Sequence, residues 1–463
     1  MALLIALSAL IFLMIAAYRG HSVILFAPIA AMGAVALTDP SAVAPVFTGL
    51  FMEKMAGFVK LYFPVFLLGA IFGKVIELSG FSRAIVAAAI KLVGRERAML
   101  SIVLVAALLT YGGVSLFVVV FAVYPFAAEM FREAQIPKRL IPATIALGAF
   151  TFTMDALPGT PQIQNIIPTT FFKTDTWAAP TLGVAGALFI LTLGLAYLES
   201  RRRAALAAGE GYGDDHINEP EALGAGPNIH AAIAILPLLV VGIANKALTY
   251  AIPRGYGATT DVVLSTGAKP VAADVSAMTA IWAVEGALLL GIVTVLALAW
   301  GRVSRQFADG TKSAVSGALL AAMNTASEYG FGAVIAALPG FLIIAEGLKA
   351  IPNPLVNQAV TVTALAGITG SASGGLSIAL AAMSERFIVA ANASGIPLEV
   401  MHRVAAMASG GMDTLPHNGA VITVLAVTGL THRQSYKDIF AITLIKTAAV
   451  FVVIAAYYAT GWV

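Results

Sequence analysis

Met154-Asp155-Ala156-Leu157-Pro158-Gly159 and Met412-Asp413-Thr414-Leu415-Pro416-His417-Asn418-Gly419 each interrupt a long apolar run, 258 positions apart (from 154 to 412). About forty residues upstream of each lies a Gly-Gly-x-Ser element, Gly112-Gly113-Val114-Ser115 and Gly374-Gly375-Leu376-Ser377. Proline lacks the amide that continues a helix and glycine weakens it. Ordered pairs of such breaks in one apolar chain read as the interrupted helices of a duplicated membrane transporter.

The chain has 463 residues, 59% hydrophobic and 11% charged, with mean hydropathy +0.91. Soluble domains carry about 25% charged residues, and several apolar runs here exceed the ~18 residues that cross a bilayer. Cysteine is absent, which removes disulfides and thiolate chemistry. The net charge of +3 is what basic cytoplasmic loops contribute in a membrane protein, and Arg201-Arg202-Arg203 has no aromatic interleaving that would suggest nucleic acid. Met1 to Ala17 lacks a basic leader region and a clear cleavage site, so it reads as a first span.

The fold class is all-α and polytopic: two inverted repeats, each with five transmembrane spans (one broken) plus one re-entrant hairpin. The first repeat occupies 1–203, a flexible cytoplasmic linker 204–228, and the second repeat 229–463. Spans are expected near 2–18, 22–37, 58–78, 140–171 (broken) and 181–199, then 229–250, 276–300, 313–336, 399–430 (broken) and 438–460. Amphipathic pieces at 81–93 and about 340–351 are too short to cross. The stretch 98–130 has basic residues at both ends, so the positive-inside rule favours a hairpin tipped by Gly112-Gly113. Its counterpart, 357–383, turns at Thr369 to Gly375. Five crossings is an odd number, so the halves face opposite ways, and about two-thirds of Lys and Arg then fall inside. In such carriers the site lies where broken helices meet at mid-membrane.

A broken helix presents free amides and a partial positive charge at the start of its second piece, a good receptor for carboxylate. Gly112, Gly113, Gly159, Thr160, Gln162, Ser371, Gly374 and Gly375 bring such amides or polar groups together, with the hydroxyls of Ser115, Ser373 and Ser377. His417 and Asn418 add donors in the second copy only. No Lys or Arg falls within the four motifs, so an anion there would be neutralised by dipoles. Asp155 and Asp413, at matching positions, read either as caps on the following half-helix or as proton or cation coupling groups. Glu328, in mid-span, is a further coupling candidate. Lys74 and Glu77 read as an i,i+3 pair. No ATP-binding signature, cofactor motif or metal site is read, which leaves an ion gradient as the energy source.

At Tyr111 to Phe117, Thr153 to Gln162, Gly370 to Ser377 and Gly411 to Gly419 the chain resembles the GntP family of gluconate-type permeases, over nearly its whole length. The resemblance implies a cation-coupled symporter of small organic anions in a bacterial-type inner membrane, a homodimer with elevator-like motion. Phe117-Val118-Val119-Val120-Phe121 offers nothing to a polyol, so the hydroxybutyrate-type members are the nearer likeness. A small hydroxy acid moving with H⁺ is the leading expectation; Na⁺ coupling and a passive channel are the alternatives. A remote rival is an intramembrane serine protease, with Ser371-Ala372-Ser373-Gly374 and His417 supplying the dyad.

Overall fold

The computed structural model describes residues 2–463 except 20, 94–96, 115, 215, 221–228, 266–268, 341–342, 344–350 and 417; at 14, 17, 18, 89, 90, 93 and 117 it describes the backbone alone. The expectations for Ser115 and His417, and most of the amphipathic piece near 340–351, lie outside the described residues.

The first half runs α1 (Ala2–Tyr18), α2 (Val23–Thr38), α3 (Val43–Val46), α4 (Met52–Leu78), α5 (Phe81–Val93), α6 (Ala98–Tyr111), α7 (Leu116–Glu133), α8 (Ile141–Ala149), α9 (Phe152–Asp155), α10 (Ile163–Phe172) and α11 (Pro180–Ala207). The second half runs α12 (Ala231–Tyr256), α13 (Val275–Val303), α14 (Phe307–Ala337), α15 (Pro354–Thr369), α16 (Ala372–Ala393), α17 (Leu398–Ser409), α18 (Gly419–Thr428) and α19 (His432–Thr460). Six described helical stretches are long and apolar enough to cross a membrane, the longest being the α13–α14 stretch Val275–Ala337. One departure from all-α structure is a short hairpin in the 251–275 loop, β1 (Thr259–Val262) paired antiparallel with β2 (Val271–Asp274).

Element order repeats. In each half a long helix (α4, α14) is followed by a helical hairpin (α6–α7, α15–α16), an interrupted helix (α8–α10, α17–α18) and a closing helix (α11, α19). The counterparts α4 and α14 pack on each other, and so do α11 and α19. The 14-residue α6 and 16-residue α15 rise about 21 and 24 Å, short of the ~30 Å hydrocarbon core. Each turns back instead. In the second hairpin the turn is Gly370-Ser371, and the arms touch at Gly375, where a Cβ would stand 2.2 Å from the Ala366 amide nitrogen. Only glycine allows that approach.

The two halves interlock. α10 packs on α16 of the other half's hairpin, while α18 packs on α7. Both interrupted helices are thereby enclosed by protein, the condition under which irregular backbone persists in a membrane.

Residues 204–207, expected as linker, complete α11. Beyond it Glu210 pairs with Arg139, and Glu219 with Arg132 and Lys138, so this stretch lies against the first half.

Candidate functional site

The first interruption is double. α8 stops at Ala149, α9 adds one turn, and the chain is irregular again from Ala156 to Gln162. Each interruption frees backbone carbonyls, and buried donors meet them. Thr151 Oγ1 donates to the Leu147 carbonyl at 2.6 Å and Thr153 Oγ1 to Gly148 at 2.7 Å. Lys446 Nζ reaches the Phe150 carbonyl at 3.1 Å, Arg403 Nη1 that of Asp155 at 2.9 Å, and Tyr111 Oη that of Pro158 at 2.8 Å. Asn245 Nδ2 takes Gly159 at 3.0 Å, and Asn165 Nδ2 takes Thr160 at 3.0 Å. Unmet carbonyls away from water cost several kcal/mol each in lipid, so these donors hold the break open.

The second interruption spans Gly410 to Asn418. Asn418 is the N-cap of α18: its Oδ1 accepts the Val421 amide at 2.9 Å while Nδ2 donates to the Gly370 carbonyl at 2.8 Å. Gln162 plays the related part in the first half, donating through Nε2 to the Thr110 carbonyl at 2.7 Å. In both halves the break is tied to the tip of its own hairpin.

A cavity of about 760 Å³ touches all four motifs: Gly113 at the first tip, Pro161 and Gln162 at the first break, Thr369 to Ser373 at the second tip, and Asp413, Thr414, Asn418 and Gly419 at the second break. Asn324, Thr325 and Glu328 of α14 form the facing wall, and His21, Lys74, Glu77 and Ser313 also line the space. Lys74 and Glu77 form the expected pair at 2.9 Å. Of the residues expected at the site, Gly113, Gln162, Ser371, Ser373, Asn418, Asp413 and Glu328 line this cavity.

Others sit behind it. Gly112 packs on Leu238, Gly159 beneath the Trp177 ring, and Gly374 against the Glu328 carboxylate. Thr160 donates to the Thr153 carbonyl at 2.7 Å, and Ser377 is fully buried, its hydroxyl without a partner among the described residues. Asp155 is 2% exposed with its carboxylate packed on Gly410. Neither aspartate caps a following half-helix; the N-caps are Gln162 and Asn418. Ser371 Oγ accepts the Gly374 amide at 3.0 Å as the cap of α16.

Two buried cations stand beside the motifs without lining the cavity. Asp413 is ion-paired with Lys446 of α19, and Arg403 of α17 is wholly buried at the first break. Neither lies inside a motif, which is why a reading confined to motifs passes over them. Each is a cation within an otherwise apolar run, and that pattern alone marks a functional or structural partner.

No protein-family model matches the chain. It is 62% identical over 473 aligned residues, covering 100% of both chains, to an uncharacterized transporter, YxjC, of Bacillus subtilis (strain 168). The chain belongs to the YxjC transporter family. The YdaH transporter of Alcanivorax borkumensis, a crystal structure described as having an unusual topology, superposes with a TM-score of 0.51 at 16% identity, over 92% of this chain and 90% of that one. MtrF of Neisseria gonorrhoeae, described within a class of antimetabolite efflux pumps, gives a TM-score of 0.49 at 14% identity over 90% and 84%. The YxjC-family chain is therefore a multi-pass membrane transporter with a fold shared with YdaH.

Proposed function

We propose that the protein is a secondary active symporter that imports a small organic monocarboxylate, of hydroxybutyrate or gluconate type, together with a proton across the bacterial inner membrane. The observation that carries this reading is the single cavity on which both hairpin tips and both breaks converge. Its volume is that of a small-molecule site with a vestibule. Its polar groups include hydroxyls, amides and carboxyls, with His21 and the Glu77-paired Lys74 also in the lining, and Val65, Phe66, Leu116, Val118 and Met154 supply apolar walls. That mixture suits a short hydroxy acid better than a polyol, in keeping with the hydroxybutyrate-type members of the GntP family that the motifs resemble.

Under the positive-inside rule, Arg19, Arg83, Lys91, Arg132, Arg139, the Arg201–Arg203 run, Arg302 and Arg433 lie in the cytoplasm. Lys74, His21 and Ser313 are near helix ends on that side, so the cavity opens inward. The halves are inverted repeats, the hairpins re-enter from opposite faces, and transport proceeds by elevator-like movement of the hairpin-bearing part within a homodimer.

Counterflow in proteoliposomes with a panel of monocarboxylates, hydroxy acids and dicarboxylates tests the reading. A monocarboxylate is expected to accumulate under an inward acid gradient and to lose accumulation when a protonophore is added. Equilibration indifferent to any gradient would make the protein a channel, and accumulation driven only by Na⁺ would replace the coupling ion.

A further inference from the structure

The N-terminus of α16 faces the cavity with two amides to spare. Ser371 Oγ caps Gly374, and the Gly375 amide bonds the Ser371 carbonyl at 2.9 Å. The Ala372 and Ser373 amides have no partner among the described residues, and both residues line the cavity. Ser373 Oγ lies 3.3 Å from Thr325 Oγ1, bringing two hydroxyls to the same spot. A 22-residue helix beginning this way attracts one negative charge strongly.

A carboxylate already stands there. Glu328 is 3% exposed, lines the same cavity, and makes no hydrogen bond or ion pair with any described residue. Its side chain leans on the first turn of α16 so closely that a Cβ on Gly374 would come within 1.9 Å of Oε2. Thr325 and Glu328, three apart on α14, thus face the free amides together. The charged and titratable groups on the segments packed around α14 are Glu53, Lys54, Lys60, Tyr62, Lys74 and Glu77 of α4, Arg305, and Glu385 and Arg386 of α16. Tyr329 is its neighbour in sequence and Asp413, held by Lys446, lines the cavity. None of them is bonded to Glu328.

We propose that the α16 N-terminus, with the Ser373 and Thr325 hydroxyls, is a one-anion receptor for which the Glu328 carboxylate and the substrate carboxylate compete. This rests on the reading of the protein as a carboxylate carrier and gives that carrier its coupling rule. Ionised Glu328 occupies the receptor and repels a second anion. A proton taken up on Glu328 vacates it, and the acid then donates its O–H to the incoming carboxylate. One proton is bound with each anion and released when the anion leaves, because neither ligand alone leaves the receptor neutralised.

Titration calorimetry on the purified full-length protein with acetate, 3-hydroxybutyrate and gluconate, in buffers of different ionisation enthalpy, tests it. In the wild type, Kd is expected to rise about tenfold per pH unit on the alkaline side, with uptake of one proton per anion. Glu328→Gln is expected to bind with the wild type's acid-limit affinity at every pH, and to exchange anion across proteoliposomes without accumulating it under a pH gradient. Flat wild-type affinity with no proton uptake overturns the proposal while leaving the carrier intact, as does a monodisperse Glu328→Gln protein that keeps the pH slope. Should that variant not fold, the wild-type proton count decides alone. Failure of all three anions to bind the wild type removes the carboxylate-carrier reading and this receptor with it.

Discussion

Lys446 donates from Nζ to the Asp413 carboxylate inside the protein, and the two side chains are only 2% and 5% exposed. The same ammonium reaches the Phe150 carbonyl, so one cation joins the acid of the second break to the backbone of the first. Removing one member of a buried pair strands the other, a loss of about 3–5 kcal/mol. Lys446→Ala is therefore expected to lower the thermal transition in detergent sharply. Lys446→Met combined with Asp413→Asn should recover part of the loss, leaving the Phe150 carbonyl unmet. Full additivity of the two single losses would argue against the pairing.

Asp413→Asn and Asp155→Asn are expected to abolish or uncouple uptake while the protein still inserts. Asp413 lies at the cavity wall, whereas Asp155 lies behind it, against Gly410. Proteoliposome uptake under an acid gradient reads the effect, and wild-type uptake in both variants would refute a coupling role.

Arg403 holds the carbonyls of Asp155 and Ala178 at 2.9 and 2.8 Å and Asn165 Oδ1 at 3.0 Å. Lysine keeps the charge but not the planar fork that meets several acceptors at once. Arg403→Lys should lose on the order of 1.5–3 kcal/mol for each charged hydrogen bond that goes unreplaced. Thermal melts of the purified variant measure it, and a melt equal to wild type would show the fork to be dispensable.

Asn418 separates capping from anchoring. Asn418→Asp keeps the acceptor for the Val421 amide but loses the donor to the Gly370 carbonyl, while Asn418→Ala loses both. Both variants leave the Gly370 carbonyl unmet, and the alanine variant alone also loses the cap, worth about 1 kcal/mol. Uptake should fall in both, since the break is no longer tied to the hairpin tip. Equal uptake in Asn418→Asp and wild type would dismiss the tie.

Gly375→Ala is expected to prevent the second hairpin from closing, because the new Cβ would meet the Ala366 backbone at 2.2 Å, where no side chain can yield. Gly419→Ala serves as control, with nothing within 4 Å of its added carbon. Size-exclusion profiles should show the first variant aggregated and the second monodisperse.

Beyond the end of α11, a hydrogen bond from Arg139 holds the Glu210 carboxyl below the usual carboxylate range. A group whose folded pKa is lowered stabilises at pH above its unfolded value and loses that contribution as pH falls through the folded one. Hydrogen-exchange protection in residues 208–212, taken relative to the intrinsic rate at each pH, should thus be constant above the ordinary value of about 4.5 and fall below it. Glu210→Gln should exchange quickly at neutral pH, and its slow exchange there would show that the pair does not pin the segment.

Much of this architecture was legible in one dimension. Apolar length located the helices, because a bilayer demands it. Pro158, Pro161, Pro416 and their glycines located the breaks, because they cannot continue a helix. The 258-residue spacing announced the repetition of element order. The interruption at Phe150-Thr151 was not visible, since neither residue forbids a helix; it exists because Lys446 and two threonines meet the carbonyls it frees.

Which polar residues reach the cavity was settled only in three dimensions. Ser373 and Ser377 look alike as members of one glycine-rich tip, yet a single turn of α16 sends one to the cavity wall and the other into the packed interior. Asp155 and Asp413 occupy matching places in the chain, yet only the second has a lysine bonded to it, because α19 carries that cation and its counterpart α11 does not. Local backbone chemistry is written residue by residue and can be read there. Partnership across helices depends on which faces pack, and nothing in a residue's own neighbourhood along the chain encodes that.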